Sequence, residues 1–246
     1  VGVVVDVSDA AAVQRLADQA QQSFGPVHVV FNNAGVTAGG LVWEHSEKDW
    51  EWLLGVNLKG VINGVRCFTP RMLAAAAADP AYEGCIVNTA SMAGLLTTPA
   101  MGIYSVSKHA VVALSECLRH DLEMVTPHVH AALLCPSYVS TDIGQSERNR
   151  PAHLMDDSGL TKSQLAARKA SQQAVMNGAI SAQAVAEITF QAIEQDRFYV
   201  FPSPEALPLV KSRMDHVLDQ TNPDLPYEMV PALKARRDRL LAAITH

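Results

Sequence analysis

Short apolar runs recur along this chain, and the segments between them carry apolar residues at helical spacing. Runs of this length bounded by Gly, Pro, Asn or Asp indicate buried strands. Strands that alternate with helices predict βαβ units, so the sequence predicts an α/β fold with a doubly wound parallel sheet. We expect a single domain over residues 1–246, without an internal repeat. The predicted strands are residues 2–6, 27–31, 85–89, 128–135 and 198–201.

Composition excludes several classes of protein. The apolar fraction of 48% is ordinary for a globular domain, and a formal charge of −6 argues against nucleic acid as the main partner. No apolar run approaches the length of a membrane span and no signal peptide opens the sequence, so we expect a cytoplasmic protein with no membrane partner. The four cysteines lack C-x-x-C spacing, and His128 and His130 have no obvious third ligand. Free thiols and no metal site are therefore predicted.

Three polar residues indicate a reaction centre. Tyr104 and Lys108 are four apart in a segment of helical periodicity, which places both on one helix face. Tyrosine is a poor base because its ordinary pKa is about 10. An ammonium roughly 5 Å away, at an effective dielectric of about 20, would favour the phenolate by ~3 kcal/mol, or about two pKa units. Ser91 follows the strand predicted at residues 85–89 and could hold an alcohol or carbonyl oxygen. The set indicates proton transfer at that oxygen while a hydride moves at the adjacent carbon.

Each motif alone has a plain structural interpretation. A Tyr-x-x-x-Lys pair is more often a surface pair, and Asn33-Ala34-Gly35 more often an ordinary turn after a strand. Several motifs in one order are far more specific, and together they make the sequence resemble the short-chain dehydrogenase/reductase family. The resemblance covers most of residues 1–142 and, more loosely, 181–202, and it implies a Rossmann-like fold. The matching pieces are Asp6-Val7, Asn32-Asn33-Ala34-Gly35, Asn57, Ser91, Tyr104, Lys108 and Pro136-Ser137-Tyr138-Val139-Ser140-Thr141.

The resemblance implies catalytic roles for four residues. Tyr104 would be the acid or base, Ser91 would hold the reacting oxygen, and Lys108 would lower the pKa of Tyr104 and bind the nicotinamide ribose. Asn57 would shape its helix and hold a water that links Lys108 to solvent. The implied activity is hydride transfer between a nicotinamide cofactor and a small secondary alcohol or ketone. Two alternatives stay open, a catalytically silent regulatory protein that binds the cofactor and a lyase or epimerase on the same fold.

The resemblance also implies a cofactor site for NAD or NADP at the carboxyl ends of the strands. The adenine would lie against Asp6-Val7, and the loop of Asn33, Ala34 and Gly35 would support the central strand and the adenosine ribose. Gly35 has no Cβ, so a ligand could approach its backbone closely. Later in the chain, Pro136, Val139 and Thr141 would serve the nicotinamide end. Ser137 stands where the family usually has Gly, which puts the fine geometry there in doubt.

Two further expectations concern specificity and assembly. Residues 143–178 depart from the strand-helix pattern, and the apolar spacing within them predicts a helix over residues 160–176. They correspond to the family's substrate lid, with a plain helical insertion as the alternative. The predicted helix of residues 46–73, capped by Ser46 and Asp49, is apolar on more than one side, as is the helix of Tyr104. Family members pair these helices across a two-fold axis, so we expect a homo-oligomer, most simply a tetramer.

The first strand raises a question about what precedes it. In the strand order 3-2-1-4-5-6, residues 3–5 would be strand three and residues 27–31 strand four. Strand three pairs with strand two, and no glycine-rich phosphate loop occurs in residues 1–246. We therefore expect strands one and two, with that loop, to precede this sequence in the protein. The residue that distinguishes NAD from NADP follows strand two, so the cofactor stays undecided.

Overall fold

The structure, a computed structural model, describes residues 1–156, 158–178, 180–224 and 231–245. Its strands are β1 (Val29–Asn32), β2 (Gly84–Thr89), β3 (Val129–Leu134), β4 (Val139–Ser140), β5 (Ile180–Ser181) and β6 (Tyr199–Val200). Its α-helices are α1 (Ala10–Phe24), α2 (Glu47–Leu54), α3 (Gly60–Ala78), α4 (Gly102–Val125), α5 (Lys162–Met176), α6 (Ala182–Glu194), α7 (Leu207–Leu218) and α8 (Pro231–Thr245).

The main sheet is parallel, as the alternation of strands and helices predicts. Its spatial order is β1-β2-β3-β6, and β4 and β5 form a separate parallel pair. The register aligns Val30 with Ile86 and Ile86 with Ala131, so these three side chains lie on one face. All three are buried in one cluster with residues of α1, α3 and α4. On the opposite face, α6 packs against β2, β3 and β6.

Local chemistry sets the helix ends. The Asp9 carboxylate accepts the amide of Ala11 and begins α1, and Gly25 ends it at a φ of +79° that favours glycine. Ser46 and Asp49 form the expected capping box at the start of α2. The helix predicted over residues 46–73 consists of α2, a π-helical turn (Gly55–Lys59) and α3, which follow one another without a break.

Residues 2–6 do not form the predicted buried strand. Val3 and Val4 are exposed, and only Val5 and the following Val7 lie partly against the core. A parallel strand needs hydrogen bonds to a neighbour, and no described strand pairs with this segment. The expectation of a strand here is therefore wrong for the described residues, and β1 is an edge of their sheet.

Residues 142–178 follow the short strand β4. They contain two 3₁₀ segments, Asp142–Asn149 and Ala152–Leu154, followed by α5, which matches the helix predicted over residues 160–176. In the described part of the chain, no helix combines the length and apolarity needed to cross a membrane. Nor do three His, Cys, Asp or Glu side chains converge there as metal ligands; His128 and His130 contact Glu83 instead.

Candidate active site

Three loops leave the sheet side by side at the carboxyl ends of β1, β2 and β3. The hydroxyl of Thr89 donates to Oδ1 of Asn33 at 3.0 Å, which joins the first loop to the second. The amide of Met92 donates to the carbonyl of Pro136 at 2.9 Å, which joins the second to the third. Ligands of parallel α/β sheets bind at this edge. The loops thus form one continuous floor for a ligand.

The helix α4 presents Tyr104 and Lys108 to this edge from the same face. Both side chains are buried, with only 8% of Tyr104 and 3% of Lys108 exposed. The Nζ atom of Lys108 lies 5.8 Å from the centroid of the Tyr104 ring and donates to the carbonyl of Thr89 at 2.8 Å. Lys108 therefore bridges the helix and the end of β2.

Ser91 completes the group from the loop after β2. Its hydroxyl accepts the amide of Ala93 at 3.1 Å and so begins a short 3₁₀ turn, Met92–Gly94. The hydroxyl also donates to the carbonyl of Pro136 at 3.4 Å, and it lies close enough to the Tyr104 hydroxyl to lower the pKa of Tyr104. The turn packs directly on α4, because a Cβ at Gly94 would lie 2.7 Å from the carbonyl oxygen of Lys108. Glycine at this position lets the serine reach the tyrosine.

Burial governs the protonation of the site. It raises the pKa of Tyr104 to about 12, and the nearby Ser91 hydroxyl lowers it only in part. Burial likewise lowers the pKa of Lys108 to about 8. Lost hydration disfavours both charged forms in the protein alone, and the lowering of the Tyr104 pKa by Lys108 stays a prediction. At neutral pH the buried side chain of Tyr104 is therefore a neutral phenol.

Asn57 lies in the π-helical turn between α2 and α3 and is fully buried. Its Oδ1 accepts the amide of Val36 at 2.8 Å, and its Nδ2 donates to the carbonyl of Val36 at 3.0 Å. The same Nδ2 donates to the hydroxyl of Ser107 at 3.1 Å. A π-helical turn often marks a functional position. Here the side-chain amide of Asn57 contacts both the loop after β1 and the helix α4.

Ser107 is a residue that the sequence analysis did not single out. Its hydroxyl accepts from Asn57 and donates to the carbonyl of Tyr104 at 2.7 Å, so it joins Asn57 to α4. The available signal was its place three residues after Tyr104, on the same side of the helix. Small polar residues at this spacing are common, so the pattern alone could not have identified it.

Residues predicted for the adenine end lie beside α3. The Asp6 carboxylate is exposed and accepts both the amide and the hydroxyl of Ser8. The carbonyl of Val7 accepts Nδ2 of Asn63 at 2.9 Å. These contacts fix the turn against the helix rather than at the end of a strand. None of them reaches Ser91, Tyr104 or Lys108.

The loop of Asn33, Ala34 and Gly35 does lie against the catalytic group. A Cβ built on Gly35 would stand 3.7 Å from Nζ of Lys108 and 3.6 Å from Oδ1 of Asn57, which is ordinary contact. The backbone of Gly35 therefore lies within contact distance of the side chains of Asn57 and Lys108.

The residues predicted for the nicotinamide end follow β3. Pro136 and Ser137 are half-buried, and Val139 lies in β4 opposite Ile180. Thr141 is exposed and caps the next 3₁₀ segment, where its hydroxyl accepts the amide of Ile143 at 3.4 Å. That hydroxyl still has a hydrogen to donate. These residues therefore adjoin the segment of residues 143–178.

Polar side chains just before α2 and in its first turn contact this segment. Glu44 accepts the hydroxyl of Thr161 at 2.6 Å, and Lys48 donates to the carbonyl of Met155 at 2.7 Å. Asp49 pairs with Arg150 at 2.7 Å, and both side chains are nearly excluded from solvent. The sequence predicts only a capping role for Asp49, since no local pattern relates it to a residue as far along the chain as Arg150.

Comparison with known proteins shows which family has this fold and sequence pattern. The family model of short chain dehydrogenases matches residues 1–152. A short-chain dehydrogenase/reductase of Burkholderia phymatum, solved in complex with NAD, is 49% identical with a TM-score of 0.89, over 92% of this chain and 79% of that one.

Two curated relatives are similar at lower identity. The CLA biosynthesis dehydrogenase/reductase of Lactiplantibacillus plantarum is 31% identical over 226 residues, 91% of this chain and 77% of the relative. The 1-deoxy-11-beta-hydroxypentalenate dehydrogenase of Streptomyces exfoliatus is 31% identical over 238 residues, 95% of this chain and 76% of the relative. Fold and family model agree with them: this chain belongs to the short-chain dehydrogenase/reductase family and is a nicotinamide-dependent enzyme.

Proposed function

We propose that this enzyme transfers a hydride between NAD or NADP and a small secondary alcohol or ketone. The observation that carries the proposal is the buried group of Ser91, Tyr104 and Lys108 at the carboxyl edge of the sheet. A buried phenol beside a serine hydroxyl suits an oxygen that gains or loses a proton. The name of the Streptomyces exfoliatus relative includes a hydroxylated compound, which supports an alcohol as one reactant.

The residues present suit a nicotinamide dinucleotide. The ammonium of Lys108 could donate to ribose hydroxyls, and the hydroxyl of Thr141 could serve the carboxamide or the pyrophosphate. Asn33, Ala34, Pro136 and Val139 are proposed to complete this floor, with Asp6 and Val7 at the adenine end. The bound cofactor supplies the carbon that accepts or gives the hydride.

The protein's own part in the reaction is to hold the oxygen and move its proton. In reduction, the neutral phenol of Tyr104 gives its proton to the carbonyl oxygen as the carbon gains the hydride. In oxidation, the phenolate takes the hydroxyl proton and the alcohol carbon loses the hydride, which leaves the ketone. Ser91 donates a hydrogen bond to the oxygen in both directions. Lys108 favours the phenolate whenever it carries its proton.

Further parts of the proposal concern the surroundings of the site. Residues 143–178 act as the substrate lid, which the polar contacts from Glu44, Lys48 and Asp49 support. Assembly into a homotetramer through α3 and α4, and a cytoplasmic location, stay predictions from the sequence. Light scattering at micromolar concentration tests the first; a monomer mass would contradict it.

A substrate panel tests the proposed function. The purified protein is mixed with secondary alcohols and NAD or NADP, or with ketones and the reduced cofactors, while nicotinamide absorbance is followed. We expect reduction of at least one ketone, with a preference for one cofactor. Cofactor binding without any absorbance change across the panel would instead favour the catalytically silent alternative.

A further inference from the structure

One residue of the C-terminal helix α8 is buried against the proposed lid. Leu240 is 5% exposed, whereas the next residue, Leu241, is 52% exposed. Among the described residues, α8 packs chiefly on the lid helix α5, and Leu240 forms one buried apolar cluster with Ala167 of α5 and with Ala100. The C-terminal helix therefore meets the lid and the turn before α4 in a single cluster.

Ala100 stands in a backbone conformation that its surroundings must maintain. Its φ is +58°, in the left-handed region that disfavours a residue with a Cβ. Its carbonyl accepts the amide of Gly40 at 3.0 Å. The following residue, Met101, is the N-cap of α4 and accepts the amide of Ser105 at 2.8 Å, and Tyr104 lies in the first turn of that helix. The turn at Ala100 thus sets where the helix of Tyr104 begins.

The helix α5 packs against this turn without spare room. A Cβ at Gly39, in the loop after β1, would lie 2.9 Å from both the carbonyl oxygen of Ala100 and the Cβ of Ala167. A Cβ at Gly40 would lie 2.6 Å from Cγ of Gln164, which is also in α5. Closely packed atoms transmit strain to one another, so a shift of α5 would reach the turn at Ala100.

Leu240 supplies the large side chain of this cluster. The other described members, Ala100, Ala166 and Ala167, each carry a single methyl group. Apolar contacts stabilise in proportion to the area that they remove from water, so the leucine contributes more than any of the alanines. Removing its side chain therefore removes most of the apolar side-chain surface of the cluster.

Resting on the proposed function, in which residues 143–178 are the substrate lid, we propose that Leu240 is a positioning residue of the reaction. It holds α5 on the turn at Ala100 and so keeps the lid in the arrangement that binds the alcohol or ketone. Leu240→Ala then lowers the fraction of molecules with a docked lid, and the apparent affinity for the substrate falls by the same factor. Saturating substrate restores the docked lid, so kcat is kept.

The first measurement follows the lid itself and needs no turnover. Hydrogen exchange is compared among the parent protein, Leu240→Ala, Leu240→Met and Leu241→Ala, the last being the matched control on the exposed side of α8. We expect peptides of α5 to exchange about tenfold faster in Leu240→Ala and within about twofold of the parent in the other two variants, because methionine keeps the apolar volume. No rise in Leu240→Ala, a rise matched by Leu241→Ala, or a rise shared by β2 and β3 overturns the anchoring role.

The second measurement assigns the anchor to substrate binding. Reduction of the ketones of the substrate panel, including cyclohexanone, 2-octanone and acetophenone, is followed in the same variants at saturating reduced cofactor. For each ketone that the parent reduces, we expect Leu240→Ala to raise KM about tenfold with kcat within about twofold, and Leu240→Met to restore the parent KM.

Two results of this second measurement contradict the proposal. Faster exchange of α5 with an unchanged KM means that Leu240 only stabilises the packing of α8, and it overturns the positioning role. A fall in kcat at an unchanged KM overturns it as well. If the parent transfers no hydride to or from any compound of the panel, the proposed function fails and the substrate role with it, while hydrogen exchange still decides whether Leu240 anchors α5.

Discussion

Two regions of this enzyme are fixed by different kinds of contact. Around Tyr104, most contacts are apolar packing and neutral hydrogen bonds, from Asn57 through Ser107 to the backbone of α4, and one charged group, the Lys108 ammonium, donates to the carbonyl of Thr89. At the lid, charged side chains dominate, with Asp49 on Arg150 and Lys48 on a backbone carbonyl. The proposed catalytic region is therefore part of the core, whereas the proposed lid is attached to that core by charged contacts as well as by the buried side chains of Leu154 and Ala167.

The two kinds of contact suit two different functions, proton transfer and substrate selection. Proton transfer needs an oxygen held in one geometry, which buried neutral hydrogen bonds provide without depending on salt or pH. Selection of a substrate needs a surface that differs between relatives and can open, which side-chain contacts between a loop layer and a helix allow. Changes in the first region should act on kcat, and changes in the second on KM.

The largest expected effect is on the catalytic region. Tyr104→Phe keeps the ring and removes the transferable proton, so turnover should fall by about 10²–10⁴-fold or more. Cofactor affinity, measured by nicotinamide fluorescence, should stay within about twofold of the parent. Turnover within tenfold of the parent would contradict the role of Tyr104 in proton transfer. A matched control is Tyr199→Phe, because Tyr199 bonds Glu116 at the far edge strand β6.

The next largest effect is on the network beneath that site. Asn57→Ala leaves the amide and carbonyl of Val36 without partners, at a cost of about 1–3 kcal/mol for each buried group. We expect a large drop in Tm and a lower kcat, with the substrate KM little changed. Ser107→Ala removes one link of the same chain and should show a smaller loss of the same kind. A Tm for Asn57→Ala equal to that of the parent would show that the network does not stabilise the fold.

Most of the catalytic region follows from local sequence signals. Four-residue spacing places Tyr104 and Lys108 together, capping residues begin α1 and α2, and glycine ends α1. Periodicity cannot show the π-helical turn at Asn57, because one extra residue per turn leaves the apolar pattern on both sides intact. Nor can spacing show that burial raises the pKa of Tyr104, since burial is a property of the whole fold.

The lid follows from the sequence far less well. The helix α5 was predictable from its apolar spacing, but the contacts that hold it down were not. Thr161 meets Glu44 across 117 positions of the chain, and no local pattern relates such residues. The strand predicted at residues 2–6 fails for a related reason, because a strand exists only when a neighbour supplies its hydrogen bonds.

The pH dependence of kcat should follow the two buried titratable groups of the proposed catalytic region, Tyr104 and Lys108. Since burial raises the pKa of Tyr104 to about 12, its phenolate grows about tenfold per pH unit below that value, and kcat for oxidation should rise with pH until cofactor or substrate binding limits it. Reduction needs the phenol and should be fastest at neutral pH, falling as Lys108 loses its proton near its pKa of about 8. Profiles of kcat in both directions test this; parallel profiles would contradict it.

The smallest expected effect is at the lid. Burial opposes the charge of Asp49, yet His45, the Ser46 amide and Arg150 together hold its pKa below the ordinary range. A lowered pKa means that the stabilisation is full above about pH 4 and is lost as the pH falls through the folded value. Asp49→Asn should therefore lower the unfolding free energy by about 1.5–3 kcal/mol at pH 7 and by less near pH 3, and raise the substrate KM severalfold with kcat kept.

Denaturant titrations at both pH values measure the first effect, with Asp215→Asn as the control, because its pair with Lys211 is exposed. A loss of kcat without a change in KM would mean that this contact supports the catalytic region, and the division between the two regions would not hold.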